Sequence, residues 1–465
     1  MKKLLSVFLA ISIFTLASCS GPISDDNQNV NKVNAKKDVT TASKPSIKVY
    51  GMAFDDQLNF ALDMFNRANR SNNQVSIEAT KFNLIDSGVS KSYEELRKKL
   101  AADTLAGNGP DIFLGKDILP SINKAISSGV FCDLNELISK DKDFKLSDYY
   151  KNILDSGVVD GKRYIFPIEY PCYGFTTTKE VLSQNNISID DSTWTWKDFA
   201  ALAKSFADKN KGKDKYLVAW EFDFKVIMTN CGISFIDYDN KKSEFDSPEF
   251  IELLQAYKDM YPAILTEDMR KAKEIGDFEI YDKGTALLRF DKVTPVRTFY
   301  LNAAIKGGMN SELQILSLPT YKAGSGTFNR LEKFAAINSK CKYKEQAFEF
   351  IKLLLSKELR LKWSEYELST NKNIFKDQLN SYLKSDVRNM ERVNFGSYQY
   401  SQINITEELF DKTNEIVDRT QGMEIVDVSV LEIIDSELPD LISGRKTAQQ
   451  VAKKINDKVT LFLNE

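Results

Sequence analysis

Residues 46–79, SIKVYGMAFDDQLNFALDMFNRANRSNNQVSIEA, contain the pattern that decides the fold class. Residues 46–50 alternate polar and apolar side chains as a half-buried strand does, and residues 75–79 repeat that alternation. The segment between them has apolar side chains at the spacing of one helical face. These are Leu58, Leu62 and Phe65. The stretch therefore predicts a strand, a helix and a second strand.

The alternation of elements continues downstream of residue 79. A helical stripe over residues 93–100 ends near Gly107, and the short apolar run 111–114 follows it. A further helix is predicted from Ile118 to Ser128. Strands and helices that alternate in this way favour a parallel sheet with helices on both faces. The predicted fold class is therefore α/β.

Two later helices are predicted from their start signals. Thr195 and Asp198 have the spacing of a capping box, in which each side chain satisfies a backbone N–H of the first turn. Ser247 precedes Pro248, which places a capping serine before a proline at the first helical position. We therefore expect helices to begin at Trp196 and at Pro248.

Composition excludes several function classes. The chain has 465 residues, enough for two or three domains, with 63 Lys+Arg against 66 Asp+Glu and a net charge of −3. This balance argues against a nucleic-acid partner, because such proteins concentrate basic charge. The chain contains no histidine, which removes Ser-His-Asp and Cys-His catalysis and His-ligated zinc. We predict no metal, no cofactor and no catalytic residues.

The N-terminus has the order of a secretory signal. A basic start at residues 1–3 precedes an apolar run over residues 4–17, which is too short to span a membrane comfortably. The following Ser18-Cys19 resembles the end of a bacterial lipobox, so we predict a signal peptide over 1–18 and lipidation of Cys19. An ordinary signal peptide with an incidental cysteine is the alternative. Residues 19–46, poor in apolar side chains, are predicted to form a disordered tether.

Four further cysteines lie far apart along the chain. They are Cys132, Cys172, Cys231 and Cys341. Their spacing matches no metal-binding motif. They either form one or two disulfides outside the cell or remain buried thiols, and the sequence leaves both alternatives open.

Several segments, taken in order, resemble the family 1 extracellular solute-binding proteins, which include the maltose-binding proteins. These proteins are the lipoprotein receptors of ABC importers, most of which carry sugars. The segments are Tyr93 to Leu137, Val159 to Val181, Trp194 to Ala200, Asp246 to Tyr261, Lys344 to Leu359 and Gly444 to Leu461. The sequence departs from the family pattern at residues 289–291, where Arg-Phe-Asp replaces the usual small residues. This departure weakens the case for sugar as the ligand.

The resemblance implies a periplasmic-binding-protein-like fold of type II, with two α/β lobes that close on a ligand between them. Its implied lobes are residues 47–166 with 319–360 and residues 167–318 with 361–465. Its implied crossings between the lobes lie near 164–170, 316–320 and 356–368. Hinge closure suits a receptor, since a membrane partner can distinguish the closed form from the open one.

Sugar recognition needs aromatic faces and planar polar groups, and ligands of open α/β sheets bind near strand ends. The candidate ligand-binding residues chosen on this basis are Phe54, Asp55, Asp117, Glu169, Tyr170, Tyr173, Trp220, Arg289 and Trp363. Structural roles compete at several of them. Trp363 fits core packing, Asp55 fits a helix cap, and Arg289 fits a surface ion pair.

The functional hypothesis is a monomeric solute-binding protein that is tethered to the cell membrane by its lipid anchor and delivers an oligosaccharide to an ABC permease. It would lie on the extracellular face, or in the periplasm of a Gram-negative cell. A cell-surface glycoside hydrolase is one alternative, because that chemistry needs only two carboxylates. A ligand-sensing lipoprotein that works with a membrane kinase is another.

Overall fold

Two five-stranded sheets organise the protein in its computed structural model. The structure describes residues 45–51, 55–69, 76–79, 89–115, 118–170, 172–220, 222–275, 284–294, 298, 301–302, 305, 311–362, 367–384, 393–395, 398–400 and 406–465. Residues 44–465 form one compact unit. The predicted signal peptide, Cys19 and most of the tether lie outside the described residues.

The strands are β1 (Ser46–Gly51), β2 (Ser76–Ala79), β3 (Ile112–Leu114), β4 (Val158–Val159), β5 (Lys162–Arg163), β6 (Phe166–Pro167), β7 (Glu169–Tyr170), β8 (Tyr173–Thr178), β9 (Tyr216–Ala219), β10 (Ile236–Asp237), β11 (Lys242–Ser243), β12 (Ile264–Leu265), β13 (Ala286–Lys292), β14 (Leu313–Ser317), β15 (Thr327–Arg330), β16 (Phe334–Ile337), β17 (Leu368–Ser369), β18 (Val393–Phe395), β19 (Tyr398–Tyr400) and β20 (Thr420–Glu424).

The α-helices are α1 (Asp55–Ala68), α2 (Val89–Leu105), α3 (Ile122–Ser127), α4 (Leu134–Ile138), α5 (Lys151–Leu154), α6 (Lys179–Gln184), α7 (Trp196–Lys209), α8 (Phe224–Asn230), α9 (Pro248–Met260), α10 (Glu267–Ala272), α11 (Lys344–Leu354), α12 (Lys357–Lys362), α13 (Lys372–Lys384), α14 (Glu407–Arg419), α15 (Val428–Ile442) and α16 (Ala448–Asn464). Within the described ranges, none of these helices is both long and apolar enough to cross a membrane.

The first sheet has the strand order β2-β1-β3-β16-β6. Strand β1 pairs in parallel with both β2 and β3, as the alternation of strands and helices predicts. The side chains of β3 alternate between two cores. Ile112 and Leu114 pack with α1, α4 and α11, whereas Phe113 packs with residues of α2 and α3. The sheet is therefore covered by helices on both faces.

The second sheet has the strand order β12-β9-β13-β8-β14. Strands β12, β9 and β13 are parallel, and β8 is antiparallel to both β13 and β14. Its largest core joins residues of these strands to α7, α8 and α9, and also to the C-terminal helices α15 and α16. The end of the chain therefore completes the core around the second sheet.

Two helix starts and the four cysteines of the folded region bear on predictions from the sequence. The capping box at Thr195 and Asp198 is present, and Ser247 caps α9 with Pro248 in its first turn, so both predicted helix starts are confirmed. The four cysteines of the folded region are free thiols. Three are buried and Cys132 is partly buried, which matches the second of the two alternatives for these residues.

A buried carboxylate links two helices of different cores. One is α3, which follows strand β3 of the first sheet, and the other is α15, which belongs to the core around the second sheet. Asp427 lies directly before α15 and is 1% exposed. It accepts hydrogen bonds from the Ser121 hydroxyl at 2.6 Å and from the Ile122 N–H at 2.9 Å. Because these groups stand at the first turn of α3, Asp427 supplies acceptors that the helix start lacks.

We expect Asp427→Ala to lower the free energy of unfolding by about 2 kcal/mol, because it leaves buried donors at the start of α3 without an acceptor. Urea unfolding of Asp427→Ala measures the change. Asp411→Ala is the control, since Asp411 is exposed on α14. Equal unfolding midpoints for the two variants would show that Asp427 is not bound as described.

Candidate ligand-binding site

A cavity of about 420 Å³ lies where the neighbouring strands β8 and β13 of the second sheet meet helix α8. We call it the polar cavity. It is lined by Tyr173, Asp223, Lys225, Val226, Thr229, Asn230, Glu267, Phe290, Arg330 and Glu332. Strands β8 and β13 supply its aromatic residues, α8 and its cap supply one wall, and the end of β15 supplies Arg330. The cavity therefore combines aromatic faces with charged groups of both signs.

Two stacked rings form the aromatic part of the polar cavity. The rings of Tyr173 and Phe290 are 5.2 Å apart between centroids, with an angle of 11° between their planes. They meet because β8 and β13 are antiparallel neighbours, with Tyr173 opposite Lys292. Both residues are only partly buried. Such a pair offers a flat apolar surface next to polar groups, the combination that ligand sites favour.

Ion pairs surround the stacked rings. The Lys225 ammonium lies 3.1 Å from a carboxylate oxygen of Asp223 and 3.0 Å from one of Asp435. The Lys292 ammonium lies 3.2 Å from Glu332 and 3.7 Å from Glu169. Burial alone would lower the pKa of Lys292, but these two carboxylates and Tyr173 raise it instead. Lys292 therefore remains charged at neutral pH.

The predicted residue Trp220 lies beside the polar cavity with cations on its ring. The guanidinium carbons of Arg270 and Arg289 are 4.2 Å and 4.0 Å from its ring centroid. Arg270 also forms a bidentate pair with the cavity residue Glu267, at 2.6 and 2.8 Å. Arg289 is buried and its Nε lies 3.2 Å from Asp291. The ring of Trp220 is therefore in contact with the guanidinium groups of two arginines.

Glu169 and Tyr170 lie behind the cavity on β7, which pairs with β17. Glu169 is 1% exposed, and its carboxylate lies 3.7 Å from the Lys292 ammonium. Tyr170 is also buried, and its hydroxyl donates a hydrogen bond to the Val417 carbonyl at 2.9 Å. Neither side chain presents a surface to solvent here, and their contact with a ligand stays a prediction.

Four predicted ligand-binding residues have no described side chain. Phe54, Asp117 and Trp363 lie outside the described residues, and Asp55 is described only as the first residue of α1. Their roles stay predictions. Of the predicted set, the structure therefore brings Tyr173 into the polar cavity, places Glu169 against Lys292, and joins Trp220 to Arg289.

Sequence reasoning missed most of the cavity lining. Asp223 carries a local signal, since its side chain caps α8 by accepting from the Lys225 N–H at 2.9 Å. Phe290 directly follows the predicted Arg289, and the strand alternation could have placed it on the opposite face. Arg330 and Glu332 carry no local signal, because only the tertiary fold brings β15 next to α8.

Solved structures with the same fold include several bacterial binding proteins. An ABC substrate-binding protein from Listeria monocytogenes, in complex with cycloalternan, is 17% identical, with 90% of this chain and 99% of that one covered at a TM-score of 0.61. The sugar-binding protein MalE from Xanthomonas citri is 13% identical, with 90% and 97% covered at 0.63. Maltose-bound MalE3 from T. maritima is 17% identical, with 90% and 99% covered at 0.57.

These similarities confirm the predicted two-lobed α/β fold. The amino-acid sequence also matches a family model. The family model described as bacterial extracellular solute-binding protein matches residues 85–360. Since this range covers more than half of the 465 residues, the chain belongs to the bacterial extracellular solute-binding proteins.

Proposed function

We propose that this solute-binding protein is a lipid-anchored receptor that closes on an oligosaccharide and delivers it to an ABC permease without chemical turnover. The observation that carries the proposal is the stacked pair of Tyr173 and Phe290 among the ion pairs of the polar cavity. Sugars present C–H faces that pack on aromatic rings and hydroxyls that bond to charged groups. The polar cavity offers both kinds of surface in one place.

The ligands of similar proteins also support a carbohydrate. Cycloalternan and maltose are named with two of the solved structures that share the fold, and a third is named as a sugar-binding protein. The substitution at residues 289–291 is compatible with this ligand class, because Arg289 and Asp291 pair with each other. Phe290, between them, contributes its ring to the polar cavity.

The proposal includes the arrangement of the whole chain. A signal peptide over 1–18, a lipidated Cys19 and a tether to residue 46 would hold the receptor at the outer face of the membrane. The proposed lobes are 47–166 with 319–360 and 167–318 with 361–465. Membership of the two sheets supports this division, since β6 belongs to the first sheet and β8 to the second. The receptor is proposed to act as a monomer.

The proposal is tested by thermal unfolding of the unlipidated mature chain (residues 19–465, Cys19→Ser) against sugars, amino acids and polyamines. A ligand at 100 times its Kd should stabilise the protein by about 2.7 kcal/mol. We expect a shift from one class of oligosaccharide, recovered intact. Cleaved sugar would indicate a hydrolase, and a shift from non-sugars alone would contradict the carbohydrate ligand.

We expect Tyr173→Ala to weaken binding of that oligosaccharide by about tenfold or more, because the loss of one ring removes the stacked surface. Isothermal titration calorimetry measures the change. Tyr173→Phe is the matched control, since it keeps the ring beside Phe290 and should retain more of the affinity. Equal losses for the two variants would assign the effect to the hydroxyl, and unchanged affinity in Tyr173→Ala would remove Tyr173 from the site.

A further inference from the structure

A second cavity, of about 280 Å³, is lined by Met228 of α8 and shares no lining residue with the polar cavity. We call it the apolar cavity. Much of its wall is apolar side chain, including Met228, Ile233, Phe235 and Phe245. These four residues also belong to, or pack against, the core around the second sheet. The cavity is therefore built into the fold and is separate from the proposed sugar site.

One carboxyl group faces this apolar wall. Glu424 is the last residue of β20 and lines the apolar cavity. Its backbone carbonyl is used by the fold, because it accepts a hydrogen bond from the Leu331 N–H at 2.9 Å. Among the described residues, its side chain accepts no hydrogen bond and pairs with no cation. Glu424 is partly buried, and a carboxylate held against apolar side chains without a partner carries a free-energy cost that a ligand can relieve.

Two other polar side chains of the apolar cavity are already bonded within the fold, whereas the buried Tyr238 hydroxyl lines the cavity without a hydrogen-bond partner among the described residues. The Asn123 amide donates to the Ile425 carbonyl and to Asp427, each at 3.2 Å. The Ser156 hydroxyl accepts from the Met423 N–H at 2.9 Å. The described residues that line the cavity include no lysine and no arginine. Nothing described in the lining therefore neutralises Glu424 when it is ionised.

The pKa of the Glu424 carboxyl is consistent with its apolar surroundings. Burial raises the pKa of the Glu424 carboxyl to about 8. A bound cation would lower that pKa again, since it stabilises the carboxylate. Protonation and cation binding are therefore two ways in which the charge of this partly buried group can be neutralised.

We propose that the apolar cavity is a second binding site that takes a small alkylammonium ion, with its charged group on Glu424 and its alkyl chain against Met228, Ile233, Phe235 and Phe245. A metal ion is disfavoured, because it needs several oxygen ligands and the cavity offers one carboxyl group. A neutral sugar is disfavoured because the apolar walls cannot bond its hydroxyls. This site goes beyond the proposed transport function and does not depend on it.

The test is methyl NMR of the unlipidated mature chain, titrated with n-butylammonium chloride at pH 8 in amine-free buffer. The methyl signal of Met228, assigned by Met228→Leu, and those of the lining isoleucines should shift to saturation, with a Kd of about 1 mM or below for so small a ligand. Glu424→Gln should raise the Kd by at least about tenfold, as should replacing the probe by butan-1-ol or butyrate. Glu95→Gln, at an exposed position, is the control variant.

Four results would overturn the proposal. The first is the absence of saturable shifts at Met228 with butylammonium up to about 20 mM, a concentration well above the expected Kd. The second is equal affinity for butylammonium and butan-1-ol, which would indicate an apolar pocket without preference for a cation. The third is unchanged binding in Glu424→Gln, provided that its unfolding curve shows a folded protein. Potassium chloride that reproduces the butylammonium shifts would overturn the role of the alkyl chain.

Discussion

Replacing Arg360 with alanine should lower the free energy of unfolding by about 3 kcal/mol, because the substitution removes one of the two cations that pair with a buried carboxylate. Arg360 on α12 is 2% exposed, and its Nη1 lies 2.7 Å from Glu367, which is 1% exposed. Lys333 also pairs with Glu367. Burial lowers the pKa of Lys333 to about 8, which makes this ammonium a weaker substitute for the guanidinium.

The side chain of Gln378 joins the backbone segments that carry this pair. The Gln378 amide donates to the carbonyls of Arg360 and Glu367 at 2.9 and 3.0 Å, and it accepts from the Ser369 N–H at 2.7 Å. Ser369 lies in β17, which pairs with β7. The pair therefore holds α12 next to the short strands β17 and β7.

Urea unfolding measures the effect of Arg360→Ala. Lys357→Ala is the matched control, because Lys357 is on the same helix and its pair with Asp377 at 2.6 Å is exposed to solvent. An exposed pair of this kind should contribute within about 0.5 kcal/mol. If Arg360→Ala unfolded at the same urea concentration as Lys357→Ala, the buried pair described here would be contradicted.

Glu424→Gln should stabilise the protein by about 3 kcal/mol at pH 8 and by little at pH 4, because glutamine cannot ionise in the apolar cavity. The pKa of Glu424 rises from 4.5 in its ordinary state to about 8 when folded. Between these values the unfolded chain has lost the proton and the folded chain has kept it. The stability of the unsubstituted protein therefore falls as the pH rises through this window, and the advantage of Glu424→Gln grows.

The measurement is urea unfolding of both proteins across this pH range in amine-free buffer, so that no alkylammonium ion stabilises the folded state. Glu95→Gln serves again as the control, and its difference from the unsubstituted protein should stay constant with pH. A destabilised Glu424→Gln at pH 8 would mean that the carboxylate is ionised and paired in the folded protein, contrary to its surroundings in the structure.

Local patterns were sufficient to predict the class of fold. The alternation in residues 46–50 and 75–79 and the helical stripe between them became β1, β2 and α1, since a half-buried strand and a helix differ in period. The order of the strands in the sheet was not predictable in the same way. Strand β16 lies between β3 and β6 although 219 residues separate Leu114 from Phe334 along the chain.

The candidate site was predictable only where a residue type and a crossing strand coincided, as at Tyr173. Its partner Phe290 was missed, because the stacking depends on the register between β8 and β13. Trp220 was predicted from its place after an apolar run, but the sequence could not indicate that two arginines would lie on its ring. No local pattern distinguishes Glu424 from an exposed glutamate.

Small-angle X-ray scattering of the unlipidated mature chain, with and without a saturating oligosaccharide from the binding screen, tests closure on an intact sugar most directly. We predict that the sugar decreases the radius of gyration, because the two lobes close around it, and that it is recovered unchanged after the measurement. A bound sugar that leaves the scattering curve unaltered would contradict hinge closure. A sugar that is cleaved would contradict the assignment as a receptor.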